Sequence, residues 1–365
     1  MTHSSFLEIH LAALEHNFSF FKEKLKKTTR ILGVVKAFGY GSDSVAIAKY
    51  LEKIGADSLA VAYTKEGITL REAGIKLPIL VLHPQETSLN TLIDNNLEPN
   101  IYNLNILHSF IKATESHNKK NYPIHLKFNT GLNRLGFPIK DSNILFDIIN
   151  KTPAVKVASV LSHLAASEDL SERDFTMRQI ALFKEVIKAT EKNLDYKPLY
   201  HLLNTSGLIN YAQYQFDMVR IGIGLYGFGN DKKITSQLQP VGVLKSAISQ
   251  INYIAKGESI GYNRDQIAKN KMTIATIPIG HADGISRHLG NGKGYFFINH
   301  KKAFIVGNVC MDMLMVDVSN INCKEGDEVV VYKNQQHLED LAEKLNTIPY
   351  ELLTAISQRI LRKLI

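Results

Sequence analysis

Cysteine is scarce in this 365-residue chain. Cys310 and Cys323, thirteen residues apart, make neither a CxxC pair nor a disulfide framework, so a reduced compartment is expected. Long apolar runs are missing too: no stretch of about 18 apolar residues occurs, and a membrane-spanning helix is not expected. Met1–His16 carries acids and histidines without a continuous apolar core, which argues against a secretory leader and favours the cytoplasm. Charge of one sign is not clustered. The net charge is +8 and the pI near 9.1, but lysines alternate with acids, as in Lys22-Glu23-Lys24, and read as solvated faces. A nucleic-acid partner is therefore not expected, while the balance is compatible with an anionic cofactor. Low-complexity tracts are absent, and no metal site is called for.

What is present is enough apolar sequence, 45%, to build sizeable cores. Apolar, often β-branched runs occur at Ile31–Lys36, Ser58–Ala62, Pro78–Leu82, Glu98–Tyr102, Pro123–Phe128, Val155–His163, Pro198–Asn204 and Asp217–Ile221. Most are separated by helical spacing, as in 44–54, 64–73 and 178–192. Eight strand–helix units in about 220 residues predict a closed (β/α)8 barrel, with an open doubly wound sheet as the alternative, because strand order is not readable from one sequence.

After Asn230 the texture changes. Gly229-Asn230-Asp231-Lys232-Lys233 is a polar break, and β-rich runs follow at 241–255, 272–279, 295–299, 303–309, 313–318 and 328–332. The fold class is thus α/β: a TIM-like barrel over 1–230, whose first ten or so residues can join the second domain, and a mainly β domain over 231–365. Two short helices, 337–345 and 350–363, are expected to close the chain.

Chemistry on a barrel collects where strands end. Lys36 ends the first candidate strand and is followed by Ala37-Phe38-Gly39-Tyr40-Gly41, whose glycines let the chain turn closely past a ligand. A lysine emerging from an apolar wall loses hydration, its pKa falls, and a lone pair is freed for Schiff-base chemistry. The bland reading is a solvated turn. Four further strand ends argue otherwise: Lys127 with Arg134 beyond it, His163, Asn204 with Thr205, and Arg220. Each has its own bland alternative, such as a packing histidine at His163 or a structural ion pair at Arg220. Thr205-Ser206-Gly207 and Gly222-Ile223-Gly224 occupy the loops that hold phosphate on many barrels. Gly222-x-Gly224-x-x-Gly227 also spells a dinucleotide fingerprint, but the polar break follows where a βαβ unit would be needed.

The order of these motifs resembles the alanine racemase family over nearly the whole chain. The resemblance is carried by Glu8–Asn17, the lysine motif through Tyr40, His125–Gly136, Phe216–Arg220, Gly222–Gly227, Ser259-Ile260-Gly261-Tyr262, Ile279–Gly284 and Gly307–Asp312. It implies a pyridoxal-phosphate enzyme with an N-terminal barrel and a C-terminal β domain, acting on a small amino acid as a homodimer with shared sites and supplying D-alanine for peptidoglycan. Lys36 would carry the cofactor and serve one face of the substrate; Tyr262 of the partner subunit would serve the other. Arg220 would face the pyridine nitrogen, donating without protonating it. Tyr40, Asn204, Thr205, Gly222 and Ile223 fall at cofactor positions, and His163 beside the ring. Arg134, Met311 and His281 fall at substrate positions. Lys127 sits where many members carry a carbamylated lysine. Two departures stand out: His281 replaces a usual tyrosine, and Gln358 stands where a phosphate-binding tyrosine often occurs. A broader amino-acid racemase, acting for instance on serine, and a non-catalytic cofactor-binding barrel are the alternatives; the latter lacks a second domain.

Overall fold

The computed structural model describes residues 5–365, which divide into two compact units. One contains Glu15–Gly39 and Ser44–Leu238; the other contains the described residues through Leu14, Tyr40–Asp43 and Gln239–Ile365. The chain starts in the second unit with strand β1 (Phe6–Ile9). The barrel unit then takes β2 (Arg30–Val34), β3 (Ser58–Val61), β4 (Ile79–Val81), β5 (Glu98–Ile101), β6 (Tyr122–Lys127), β7 (Val155–Leu161), β8 (Leu199–His201) and β9 (Met218–Ile221).

All eight are parallel in the order β8-β7-β6-β5-β4-β3-β2-β9. The β8–β9 seam is drawn together by Asp217 N donating to Tyr200 O and Arg220 N to Leu203 O, each at 3.0 Å. The expected barrel is therefore present, and the open doubly wound sheet is not. Its strands are short apolar runs because both faces are covered, by side chains within and helices without. The helix Arg173–Asn193 shows the outer layer's logic, burying Thr176, Ile180, Phe183 and Val186 at helical spacing.

The other unit is a nine-stranded sheet. Running outward from β1, it passes through β10 (Gly242–Ala247), Glu328–Tyr332, Tyr295–Ile298, Lys301–Val306, Leu314–Asp317, Met272–Ile277 and Gln250–Ile254. The run expected at 241–255 is two strands, because the chain turns at Ile248-Ser249. The boundary expected at Asn230 falls nine residues before Gln239, where the second unit resumes.

One expectation is overturned. The helix expected at 350–363 spans only Pro349–Thr354, and Leu361–Leu364 is a strand parallel to β1. Leu352, Ile356, Ile360 and Leu364 recur every four residues and mimic a helical stripe. Arg362 decides against it: its guanidinium donates to the carbonyls of Ser42, Gly41, Ser357, Ile360 and Ile356, which fixes the chain in an open course.

Candidate active site

Lys36 stands just beyond β2, after Val35, and opens a left-handed turn. Ala37, Phe38, Gly39 and Tyr40 have φ of 52°, 55°, 64° and 52°, a conformation that ordinary L-residues avoid. Glu66 pays part of that cost: its carboxylate accepts from Ala37 N at 2.7 Å, Ala62 N at 2.6 Å and Tyr63 N at 3.3 Å. Glu66 was not a sequence candidate, since nothing marks a surface helix glutamate as a loop clamp.

Around Lys36 the barrel gathers cations. Burial and the Arg134 guanidinium push the Lys36 amine toward its neutral form, and Glu66 opposes them. Lys127, at the end of β6, is brought down to about 8 by burial, then by Arg220, Arg134 and Lys36. His163 is held well below its ordinary value by burial and by Arg220, Lys127, Arg134 and Lys36 in turn. Five side chains from four strand ends thus feel one another, and their excess of positive charge calls for an anion.

Arg220 is almost wholly buried, 4% exposed. Its Nη1 donates to His201 Nδ1 at 2.8 Å and His201 O at 3.2 Å; its Nη2 donates to Ser162 O, Leu202 O and His163 Nδ1 at 2.7, 2.8 and 3.1 Å. The Nε–H has no protein acceptor among the described residues. Burial pushes the guanidinium down to about 10, so it stays charged at neutral pH.

Thr205 Oγ1 accepts from the amides of Gly222 and Gly224 at 3.2 and 3.3 Å, which leaves its own proton to donate. Asn204 caps the helix Thr205–Tyr211, its Oδ1 accepting from Gly207 N and Ser167 Oγ at 2.8 and 2.9 Å. Ile223 is buried beside them. Gly224 has no room for a side chain: a Cβ there would meet the Phe21 ring at 2.5 Å.

The remaining candidates lie in the sheet unit. Tyr262 is 71% and Met311 59% exposed. Both line a groove of about 550 Å³ with Ile260, Ile274, Met313 and Met315. Tyr262 rides a turn in which Gly261, Asn263 and Arg264 all have positive φ. His281 is joined to the Met311 segment, its N–H donating to Cys310 O at 2.9 Å. Arg359 ties the same two loops, donating to Asp283 at 2.6 Å and Asp312 at 2.7 Å. Tyr40 is buried with its ring 6.0 Å from that of Tyr350, and burial together with Tyr350 raises its pKa. Gln358 is exposed. No cluster of metal-binding side chains, and no helix long and apolar enough to cross a membrane, occurs among the described residues.

The fold and this lysine-centred mouth define a class: a (β/α)8 barrel with a half-buried amine ringed by cations, joined in sequence to a β domain. The N-terminal domain model of alanine racemases matches residues 9–229 and their C-terminal domain model 241–364. The chain belongs to the alanine racemase family. It is 34% identical to alanine racemase 1 of Caldanaerobacter subterraneus subsp. tengcongensis over 98% of this chain and 93% of that protein. It superposes on alanine racemase of Clostridium difficile 630 with a TM-score of 0.93 at 32% identity, covering 100% and 96% of the two chains. It superposes on a Bartonella henselae alanine racemase with covalently bound pyridoxal phosphate with a TM-score of 0.89 at 28% identity, covering 100% of both.

Proposed function

We propose that this chain interconverts L- and D-alanine with pyridoxal phosphate, using Lys36 and Tyr262 of the partner subunit as the two proton-transfer groups of a homodimer, and that it supplies D-alanine for peptidoglycan. The observation that carries the reading is Lys36, a strand-end amine driven toward neutrality inside a ring of cations. The residues suit the cofactor: a lone-pair amine for its aldehyde, with Tyr40 four residues beyond it; the Thr205 hydroxyl and Gly222–Ile223 backbone for its phosphate, with Asn204 adjoining Thr205; and the unengaged Arg220 Nε–H for its ring nitrogen.

When bound, pyridoxal phosphate supplies a carbonyl that condenses with amines and a conjugated ring that spreads the charge left by a departing α-proton. Everything else falls to the chain. The Lys36 amine takes or returns the proton on one face, and the Tyr262 phenol on the other; two groups are needed because inversion demands removal and return from opposite sides. Arg220 donates a hydrogen bond but keeps its proton, so the ring remains a weak electron sink and return of the proton to the same carbon is favoured. Arg134 offers a guanidinium for the substrate carboxylate, and Met311 and His281 border the substrate side. His163, held neutral, packs without adding charge.

Incubation with single L-amino acids in deuterated water, followed by chiral separation, tests this. Deuterated D-alanine is expected; release of carbon dioxide, or no exchange at all, would redirect the reading. Borohydride reduction with peptide mapping should place the cofactor on Lys36.

A further inference from the structure

A layer of polar side chains crosses the barrel interior from strand to strand. Glu98 stands on β5, His125 on β6, Ser159 on β7, His201 on β8 and Arg220 on β9. His125 and Ser159 are paired in register. Each group bonds the next: Glu98 Oε2 to His125 Nε2 at 2.7 Å, His125 Nδ1 to Ser159 Oγ at 2.6 Å, Ser159 Oγ to His201 Nε2 at 2.8 Å, and His201 Nδ1 to Arg220 Nη1 at 2.8 Å. From His125 to Arg220 every member is buried.

The direction of these bonds is forced. A guanidinium donates and never accepts, so His201 Nδ1 holds the lone pair and its proton sits on Nε2, aimed at Ser159. Ser159 in turn donates its O–H to the lone pair of His125 Nδ1, and His125 donates from Nε2 to the Glu98 carboxylate. All four bonds run from Arg220 toward Glu98, and bonds aligned in this way polarise one another. Burial, Arg220 and His125 hold His201 well below its ordinary pKa, in keeping with a neutral ring. Glu98 is also faced by the Arg71 guanidinium from the helix Thr64–Glu72.

We propose that Glu98, His125, Ser159 and His201 are positioning residues: they join Arg220 to a carboxylate across five strands, fix the plane of its guanidinium, and leave Nε–H as the donor aimed at the ring nitrogen of pyridoxal phosphate. The inference rests on reading Arg220 as the ring's partner. The layer is not a proton wire, because its Arg220 end cannot accept.

Full-length protein carrying 15N-histidine and loaded with pyridoxal phosphate reads the polarity directly, with His125→Gln and His201→Gln assigning the signals. Both rings are expected as neutral Nε2–H tautomers. A doubly protonated His125, or an Nδ1–H form of either ring, overturns the proposal whatever the activity. Glu98→Gln keeps an acceptor oxygen but removes the charge, so kcat should fall by about tenfold at unchanged KM, the scale at which orienting partners are felt in other sites. The visible absorption of the bound cofactor should shift with it. If Glu98→Gln alters thermal stability alone, the layer is ordinary core and the proposal fails. Ser159→Ala cuts the chain and should reproduce the spectral shift; Glu98→Gln decides the matter if that variant does not fold. Absence of racemisation by the unsubstituted protein would sink the functional reading instead, and the tautomer measurement would stand apart from it.

Discussion

Lys127 is a buried lysine set against three other cations, and its consequence for stability has a definite sign. Its pKa is about 8 in the folded chain against 10.5 for an ordinary lysine. Below pH 8 the folded state carries the full penalty of the buried ammonium, on the order of 3 kcal/mol. Between 8 and 10.5 the unfolded state binds more protons, so this contribution to stability rises with pH. Lys127→Met should therefore raise the melting temperature of the cofactor-free protein at pH 7, with the gain shrinking toward pH 10.5; a gain that persists there would place its origin in packing. Arg220 carries a second prediction. With Arg220 placed as proposed, Arg220→Glu would put a group that can hold a proton opposite the ring nitrogen, so the ratio of transamination product to racemisation should rise, measured as keto acid formed per turnover. His281→Tyr should retain racemisation; loss of cofactor binding would refute its placement at the border of the site.

At the scale of elements, the left-handed turn after β2 is tied by one carboxylate to the start of the helix Thr64–Glu72. Glu66→Ala leaves three backbone donors without their acceptor and should cost about 3 kcal/mol, read from the denaturant midpoint. Glu66→Gln, which keeps one acceptor oxygen, should cost less. If both variants are as stable as the parent, the turn is supported by something other than Glu66. The sequence announced a turn here through Gly39 and Gly41, but not its hand. Ala37, Phe38 and Tyr40 have no intrinsic reason to adopt positive φ, and part of what holds the turn, the acceptor for Ala37 N, arrives from residue 66. The C-terminus teaches the opposite lesson. Its four-residue spacing of Leu352, Ile356, Ile360 and Leu364 is a true pattern with a false cause, because the carbonyls gathered by Arg362 come from residues 41 and 42 as well as its own neighbours.

For the whole molecule, a shared site makes a prediction that no single chain can satisfy. Lys36→Ala and Tyr262→Phe should each be inactive alone. Dissociated, mixed and reassociated, they should recover about a quarter of the parent's activity, since half the dimers are mixed and each of those holds one intact pair in a two-fold assembly. No recovery, together with an active monomer by size-exclusion chromatography, would remove the shared-site model.

The sequence by itself determined the alternation of eight strands and their helices, because burial on both faces writes short apolar runs that survive without knowledge of neighbours. It also placed Lys36, Lys127, His163 and Arg220 at strand ends, where a barrel makes them converge. Only the tertiary structure decided what surrounds them. Glu66, His201, Ser159, His125 and Glu98 are ordinary residues in ordinary elements, and their significance comes from contacts spanning 19 to 42 positions of chain, as between Arg220 and His201 or Ser159 and His201. Periodicity reports which face of an element meets an apolar neighbour; it carries no record of which polar atom lies across the barrel, and that is what sets the direction of a hydrogen bond or the pKa of an amine.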